Sequence, residues 1–247
     1  MAGLTPPGLR REPELPPGFS LVTLREAGDA FAHARAIAPE AGAATLVWTR
    51  RFDLVEFALV LEPDEPLGAA RLVHYAGMNA LADALAFHGP AEKPIAFAWP
   101  DAVHFDGGLL GGGRLCWPEG TDEGERPDFL VFGAMLRASS LAYLDPGLAT
   151  IGVALDEEGF SEVDFADLID SFSRHFMSEV HVWNEDGPRP VVQRWIDRMP
   201  KLPGVEQGID RNGDLLATRD GATERRALAA ALAAPSWLDP ETGEPWL

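Results

Sequence analysis

The chain has 247 residues, 46% of them hydrophobic and 24% charged, enough for one large domain or one domain with a small appendage. A formal net charge of −19 argues against nucleic acid and anionic membrane as partners, since both are themselves negative. No apolar run reaches the about 18–20 residues of a membrane span, and a single cysteine, Cys116, allows neither an internal disulfide nor a Cys-x-x-Cys zinc site.

Met1–Gly18 carries five prolines and no basic-then-apolar leader pattern, so it reads as an extended arm, and a cytoplasmic setting is expected. Thr23, with Glu26 at the capping-box position, predicts a helix to about Ile37 that Pro39 and Gly42 end. Ala44–Thr49 and Leu54–Leu61 predict two strands joined by the charged turn Arg50–Asp53. Leu67–Phe87 predicts one long helix with Val73, Ala76, Gly77, Ala80, Leu81, Ala84 and Leu85 on its inner stripe, which leaves His74 and Asn79 as boundary residues. A strand over Ile95–Trp99 stops at Pro100. Val103–Phe105 and Gly112–Trp117 then predict a hairpin, and Pro118–Pro127 an exposed acidic loop. Asp128–Leu136 is a strong strand.

Two amphipathic helices follow. Phe165, Ile169, Phe172, Phe176 and Val180 share one face of Val163–Val180, and Val192, Trp195, Ile196 and Met199 share a face of a helix that Pro188 opens. Val205–Leu247 predicts two short strands around Arg211–Asp214, then a short alanine-rich helix and a tail. Strands and helices without regular βαβ alternation indicate an α+β fold, a mixed and largely antiparallel sheet with packed helices. The expected organisation is an arm over 1–20, a main domain over 21–200 and a small C-terminal hairpin/helix appendage over 201–247.

The segment with most chemical content is Trp99–Arg114. Trp99-Pro100-Asp101 ends a strand, and five glycines then fall within the seven residues Gly107–Gly113. Such a run lets the backbone approach a ligand and aim amide N–H groups at it. It is neither a Walker loop nor a dinucleotide fingerprint, and a flexible hairpin turn is the plain alternative. The reading predicts a tight turn over Gly107–Gly113, with Trp99 and Gly112 lining one concavity. Arg50 and Arg51 suit a carboxylate or phosphate, or else are solvated turn charges. Cys116, on the strand after the glycines, is more simply a buried inert thiol than a nucleophile.

These residues, in this order, resemble the catalytic domain of biotin protein ligases and lipoate protein ligases. That family pairs a Trp-Pro-Asn-Asp type strand end with a Gly-Lys-Lys-Leu/Val-Gly-Gly type hairpin, an apolar strand containing glycine, and a Gly-Ile-Asp-x-x-Gly-x-Leu-Leu hairpin in a small C-terminal domain. The counterparts here are Trp99-Pro100-Asp101, Asp106–Gly112, Phe132–Leu136 and Gly208–Leu216, and the resemblance spans Leu24–Thr218. It implies biotin, or lipoate or octanoate, with ATP and magnesium as ligands, and a biotinyl or lipoyl carrier domain as partner. The ligand-binding set it implies is Arg50, Arg51, Trp99, Pro100, Asp101, Gly111, Gly112, Gly113 and Arg114, with no catalytic residue and no metal ligand assigned.

The departures bear on chemistry. Leu109 stands where the family has its catalytic lysine, and Lys93 and Lys201 are the only lysines in the chain. Asp101 and Ala102 stand at the family's asparagine and aspartate, and Trp48–Asp53 replaces its Gly-Arg-Gly-Arg-x-Gly-Arg loop. These changes imply a ligase-like binding protein with impaired or altered ligase chemistry. The alternatives are a non-catalytic cofactor- or carrier-domain-binding protein and a cysteine-dependent acyltransferase.

Overall fold

The computed structural model describes residues 11–139 and 152–246. The first ten residues of the expected arm lie outside this range. In chain order the elements are β1 (Ser20–Leu24), α1 (Ala30–Ala41), β2 (Thr45–Thr49), β3 (Leu54–Leu61), α2 (Leu67–Ala70), α3 (Val73–His88), β4 (Ile95–Ala98), β5 (Ala102–Phe105), β6 (Gly108–Cys116), β7 (Leu130–Arg137), α4 (Phe165–Asp186), α5 (Pro188–Asp197), β8 (Glu206–Ile209), β9 (Leu215–Arg219), β10 (Ala222–Arg226) and α6 (Leu228–Leu232). Seven strands form one sheet in the order β1-β2-β3-β7-β6-β5-β4. Only β1 and β2 run parallel; the other pairs are antiparallel. The strands β10-β9-β8 make a separate antiparallel sheet of three. The expected mixed, largely antiparallel α+β fold is therefore the fold observed.

The large sheet is covered on both faces. Alternation along β3 sends Val55, Phe57 and Leu59 into the main core and Ala58 and Val60 into a second cluster. The main core lies under α3, α4 and α5. Phe172 of α4 is fully buried there, with ring centroids 4.6 Å from Phe57 and 5.8 Å from Phe132 and Phe176. Trp195 of α5 is also fully buried, and stacks on Phe97 at 5.4 Å. On the second face, α1 covers Val47, Ala58, Val60 and Val131. The C-terminal segment covers Leu54, Ala102, Leu109 and Met135 with Trp237.

Three local expectations are corrected. Residues Ser20–Leu24 are a strand rather than the start of a helix, because their backbone groups join the parallel ladder with Thr45–Thr49. The helix begins at Ala30, where the Asp29 carboxylate accepts the Ala32 N–H, and it runs past Pro39 to Ala41. The single helix expected over Leu67–Phe87 is two, broken at Arg71 and Leu72. The Arg71 guanidinium there donates to the Asn212 carbonyl at 3.2 Å and pairs with Glu123, contacts distant in sequence that no local pattern encodes. His74 and Asn79, read as boundary residues, are fully buried.

The ring packing around Phe172 yields a stability prediction. Phe172→Ala should cost about 3–5 kcal/mol in urea unfolding, since it empties a cavity between three aromatic rings. A loss below about 1 kcal/mol would show that α4 does not bury this face as described.

Candidate functional site

The glycine segment is a strand, which corrects the expected turn. The reversal between β5 and β6 takes only Asp106 and Gly107, both with positive φ (49° and 87°), the geometry of a two-residue hairpin turn. Gly108–Gly113 belong to β6. The pairing register with β5 slips by one residue at Val103/His104, and a bulge results. Gly111, with φ 151°, sits at this bulge, and a Cβ there would lie 2.1 Å from the Met135 carbonyl oxygen. At Gly112 a Cβ would meet the Asp101 carbonyl oxygen at 2.2 Å and the Trp237 indole at 2.3 Å. Gly113 faces the helical layer, where Met78 Sδ would be 2.6 Å away.

Trp99 and Gly112 do not share a concavity. The Trp99 indole packs on the main core, and its Nε1–H donates to Tyr75 Oη in α3 at 3.0 Å. Gly112 faces the opposite layer. The Trp99–Pro100 peptide is cis, and Pro100 is buried. His74 Nε2 donates to the Pro100 carbonyl at 3.0 Å. Burial holds His74 down to about 4, offset in part by that hydrogen bond, so it is neutral near neutral pH.

Asp101 is fully buried, and its carboxylate accepts the Ser236 N–H at 3.1 Å and Ser236 Oγ–H at 2.7 Å. Burial pushes it up to about 6 against the effect of those bonds. Arg51 donates to both carboxylate oxygens of Asp53, at 2.9 and 2.6 Å, and to Glu244 at 2.5 Å; the Asp53 bonds are the main cause raising its affinity for its proton. Arg50 lies over the Trp48 ring at 5.4 Å. Arg114 projects on the same face as Gly112. Its Cζ lies 4.4 Å from the Phe31 centroid, and its nearest carboxylate oxygen, on Asp29, is 4.0 Å away. Arg114 Nε is buried without a hydrogen-bond partner, and burial lowers the pKa of the group.

The sequence reading missed several residues on this face. Glu56 is 2% exposed and spends Oε1 on the Ala30 N–H at 2.8 Å, and burial raises its pKa. Thr49 is fully buried with Oγ1 unpartnered. Both sit on β3 and β2 as strand residues among apolar neighbours, and only their polarity within a buried run signalled them. Trp237, in a run of alanine, proline and acidic residues, is fully buried, and its Nε1–H donates to the Gly113 carbonyl at 3.2 Å. A large aromatic in such a tail was the available signal. Cys116 is half-buried, and desolvation pushes its thiol up to about 11.

A sequence model described as the Biotin/lipoate A/B protein ligase family matches residues 15–197. The chain belongs to this family. Its fold is shared with a biotin protein ligase-like protein of unknown function from Silicibacter sp. tm1040, at 23% identity and a TM-score of 0.76, covering 87% of this chain and 97% of that one. The biotin protein ligase from Aquifex aeolicus, solved with biotin and ATP, superposes with a TM-score of 0.62 at 12% identity, covering 84% and 95%. The Leishmania major biotin protein ligase, solved with biotinyl-5-AMP, gives 0.52 at 16%, covering 86% and 99%. No curated protein matches the chain. Among the described residues, no helix of this family member is long and apolar enough to cross a membrane.

The environment of His74 gives a pH prediction. Its folded pKa of about 4 lies below the unfolded value of about 6.5, so the unfolded chain binds the extra proton in that window. Stability conferred by neutral His74 is complete above pH 6.5 and is lost as pH falls towards 4. Relative to His74→Gln, wild type should lose about 2–3 kcal/mol between pH 7 and pH 4.5. Asp101 acts in the opposite direction but is common to both proteins, so the difference between their urea unfolding curves isolates His74. A difference constant with pH would contradict the assignment.

Proposed function

We propose that this ligase-family protein binds a biotinyl, lipoyl or acyl carboxylate, or its adenylate, on the glycine face of the large sheet, and does not form the adenylate at an ordinary rate. Arg114 carries the reading. Its side chain is 15% exposed, one N–H has no partner, and the nearby Glu56 already accepts from Ala30. An arginine fork held in this way suits a carboxylate or a phosphate oxygen. Thr49 Oγ1 and the β6 backbone add neutral polar groups, and at the bare positions Gly112 and Gly133 the space beside the backbone is filled by Trp237 and Phe31 of this chain.

Adenylate formation brings carboxylate and phosphate oxygens together, and fixed positive charge must offset their repulsion. Leu109 occupies the lysine position and is buried against Trp237. Lys93 is held by Glu158 and lies 3.7 Å from Asp106 at the hairpin turn. Lys201 is exposed beyond α5. Magnesium fits poorly: the Asp101 carboxylate is taken by Ser236, Ala102 follows it, and among the described residues no group of three or more His, Cys, Asp or Glu forms a metal site. The donor set thus does not suit a magnesium-bound nucleotide, and these residues are assigned no ATP-dependent step. The same features favour the second reading, a non-catalytic protein that binds a cofactor or a carrier domain bearing one. A thiol near 11 argues against the acyltransferase reading, which needs a thiolate.

Titration with biotin, lipoate and octanoate, followed by thermal shift, should show stabilisation by at least one acid without ATP, and Arg114→Gln should weaken it about tenfold or more. Pyrophosphate exchange with the same acids should stay near background, since loss of one such electrostatic group typically costs about a hundred- to thousandfold in rate. Robust exchange by the unmodified protein would restore ordinary ligation, and no stabilisation by any acid would remove the binding reading.

A further inference from the structure

Arg51, Asp101, Gly112 and Gly113, four of the nine residues that the family resemblance assigns to a ligand, are in this structure engaged by the chain's own C-terminal segment. Trp237 lies against Gly112, and its indole N–H donates to the Gly113 carbonyl. Ser236 satisfies the Asp101 carboxylate through both its backbone N–H and its hydroxyl. Glu244 places a carboxylate on Arg51 at 2.5 Å. The Pro245 carbonyl accepts from Arg137, at the end of β7. The segment is folded on itself as well: Trp246 N–H donates to the Trp237 carbonyl at 2.9 Å, and Asp239 N–H to the Glu244 carbonyl at 2.8 Å. A flat ring with an N–H donor therefore sits on the glycine strand, while a carboxylate from the same segment sits on an arginine.

We propose that residues 234–246 are an intramolecular competitor for the ligand face, and that ligand binding and tail release are coupled. The inference rests on the binding reading above and adds a regulation to it. The tail occupies part of the surface the ligand would use, namely the space over Gly112, the β6 backbone at Gly113 and the guanidinium of Arg51, while Arg114 is held by Phe31 and Asp29 instead. Tail and ligand cannot both use that shared part at once. The apparent affinity for ligand is then the intrinsic affinity reduced by the fraction of molecules whose tail is undocked. Tail docking is held by one buried indole and a few polar contacts, and the polar ones at Arg51 and Glu244 are 20% and 32% exposed. Whatever weakens those contacts raises the open fraction.

The test compares the full chain, a chain ending at residue 233, and the full-length double variant Trp237→Ala/Glu244→Ala, which keeps the backbone of the tail. Biotin, lipoate and octanoate are the probes, and circular dichroism monitors folding. Both altered proteins should bind the responding probe at least about tenfold more tightly than the full chain. Hydrogen–deuterium exchange on the unmodified full chain gives a readout that needs no variant: a saturating probe should speed exchange at Asp239 and Trp246. Equal affinity in all forms with unchanged tail exchange would overturn the competitor while leaving the binding reading intact. Weaker binding without the tail, with slower tail exchange on adding probe, would make the segment a wall of the site and overturn the proposal. Binding of no probe by any form would overturn the binding reading and the competitor with it.

Discussion

A methyl group at position 112 would lie 2.2 Å from the Asp101 carbonyl oxygen and 2.3 Å from the Trp237 ring, closer than any real contact allows. Backbone, loop and tail meet at this point, and much of the second face follows from it. Because β6 is bare there, the Gly113 N–H reaches the Asp101 carbonyl at 2.9 Å, which fixes the chain just after the cis Trp99–Pro100 bond. Asp101 so placed turns its carboxylate to Ser236, and Ser236 delivers Trp237 to the glycine strand. His74 holds the Pro100 carbonyl from the helical side. One bare strand position thus couples the helical layer, the sheet and the C-terminal segment.

The charges on this face are arranged differently from the lysine-centred pattern of the ligases that the chain resembles. Positive charge comes from three arginines, each already committed in part. Arg51 is shared between Asp53 and Glu244, Arg137 reaches Pro245, and Arg114 lies over Phe31 with Asp29 at 4.0 Å. Arginine stays charged when buried, where a lysine would yield its proton more readily. Glu56 and Asp101 are both shifted upward by burial, which softens the negative charge on the same surface. On the proposed reading, such a face would hold a carboxylate without driving its activation.

Much of the architecture was legible in the sequence because it rests on periodicity. The apolar run Leu54–Leu61 marks a strand, buried on both faces, and the stripes at Phe165–Phe176 and Val192–Met199 encode which helix faces are inside; all appear where the pattern puts them. Boundaries set by distant contacts were not legible. Ser20–Leu24 is a strand only because Thr45–Thr49 lies beside it, and the break before α3 depends on Arg71 reaching Asn212, 141 residues away. The site shows the same division. The glycines were conspicuous, but a composition reading makes them a flexible turn, whereas only Gly107 is a turn glycine and Gly108, Gly111, Gly112 and Gly113 are strand residues crowded by neighbouring groups. Trp237 stood out as a large aromatic in a polar tail, but nothing local links position 237 to positions 101 and 112.

That separation along the chain matters for how the protein is made. Every strand of the large sheet precedes residue 138, and the segment that covers Leu54, Ala102, Leu109 and Met135 is synthesised about a hundred residues later. At typical elongation rates of about 5–20 residues per second, that interval lasts seconds, long compared with the pairing of strands. A nascent chain that has completed the sheet also awaits α4 and α5 over its main-core face, and once these are in place the patch under Trp237 and the Asp101 carboxylate are still uncovered. During that interval the patch is open to small molecules and to chaperones alike, and the first occupant of the glycine face need not be the tail.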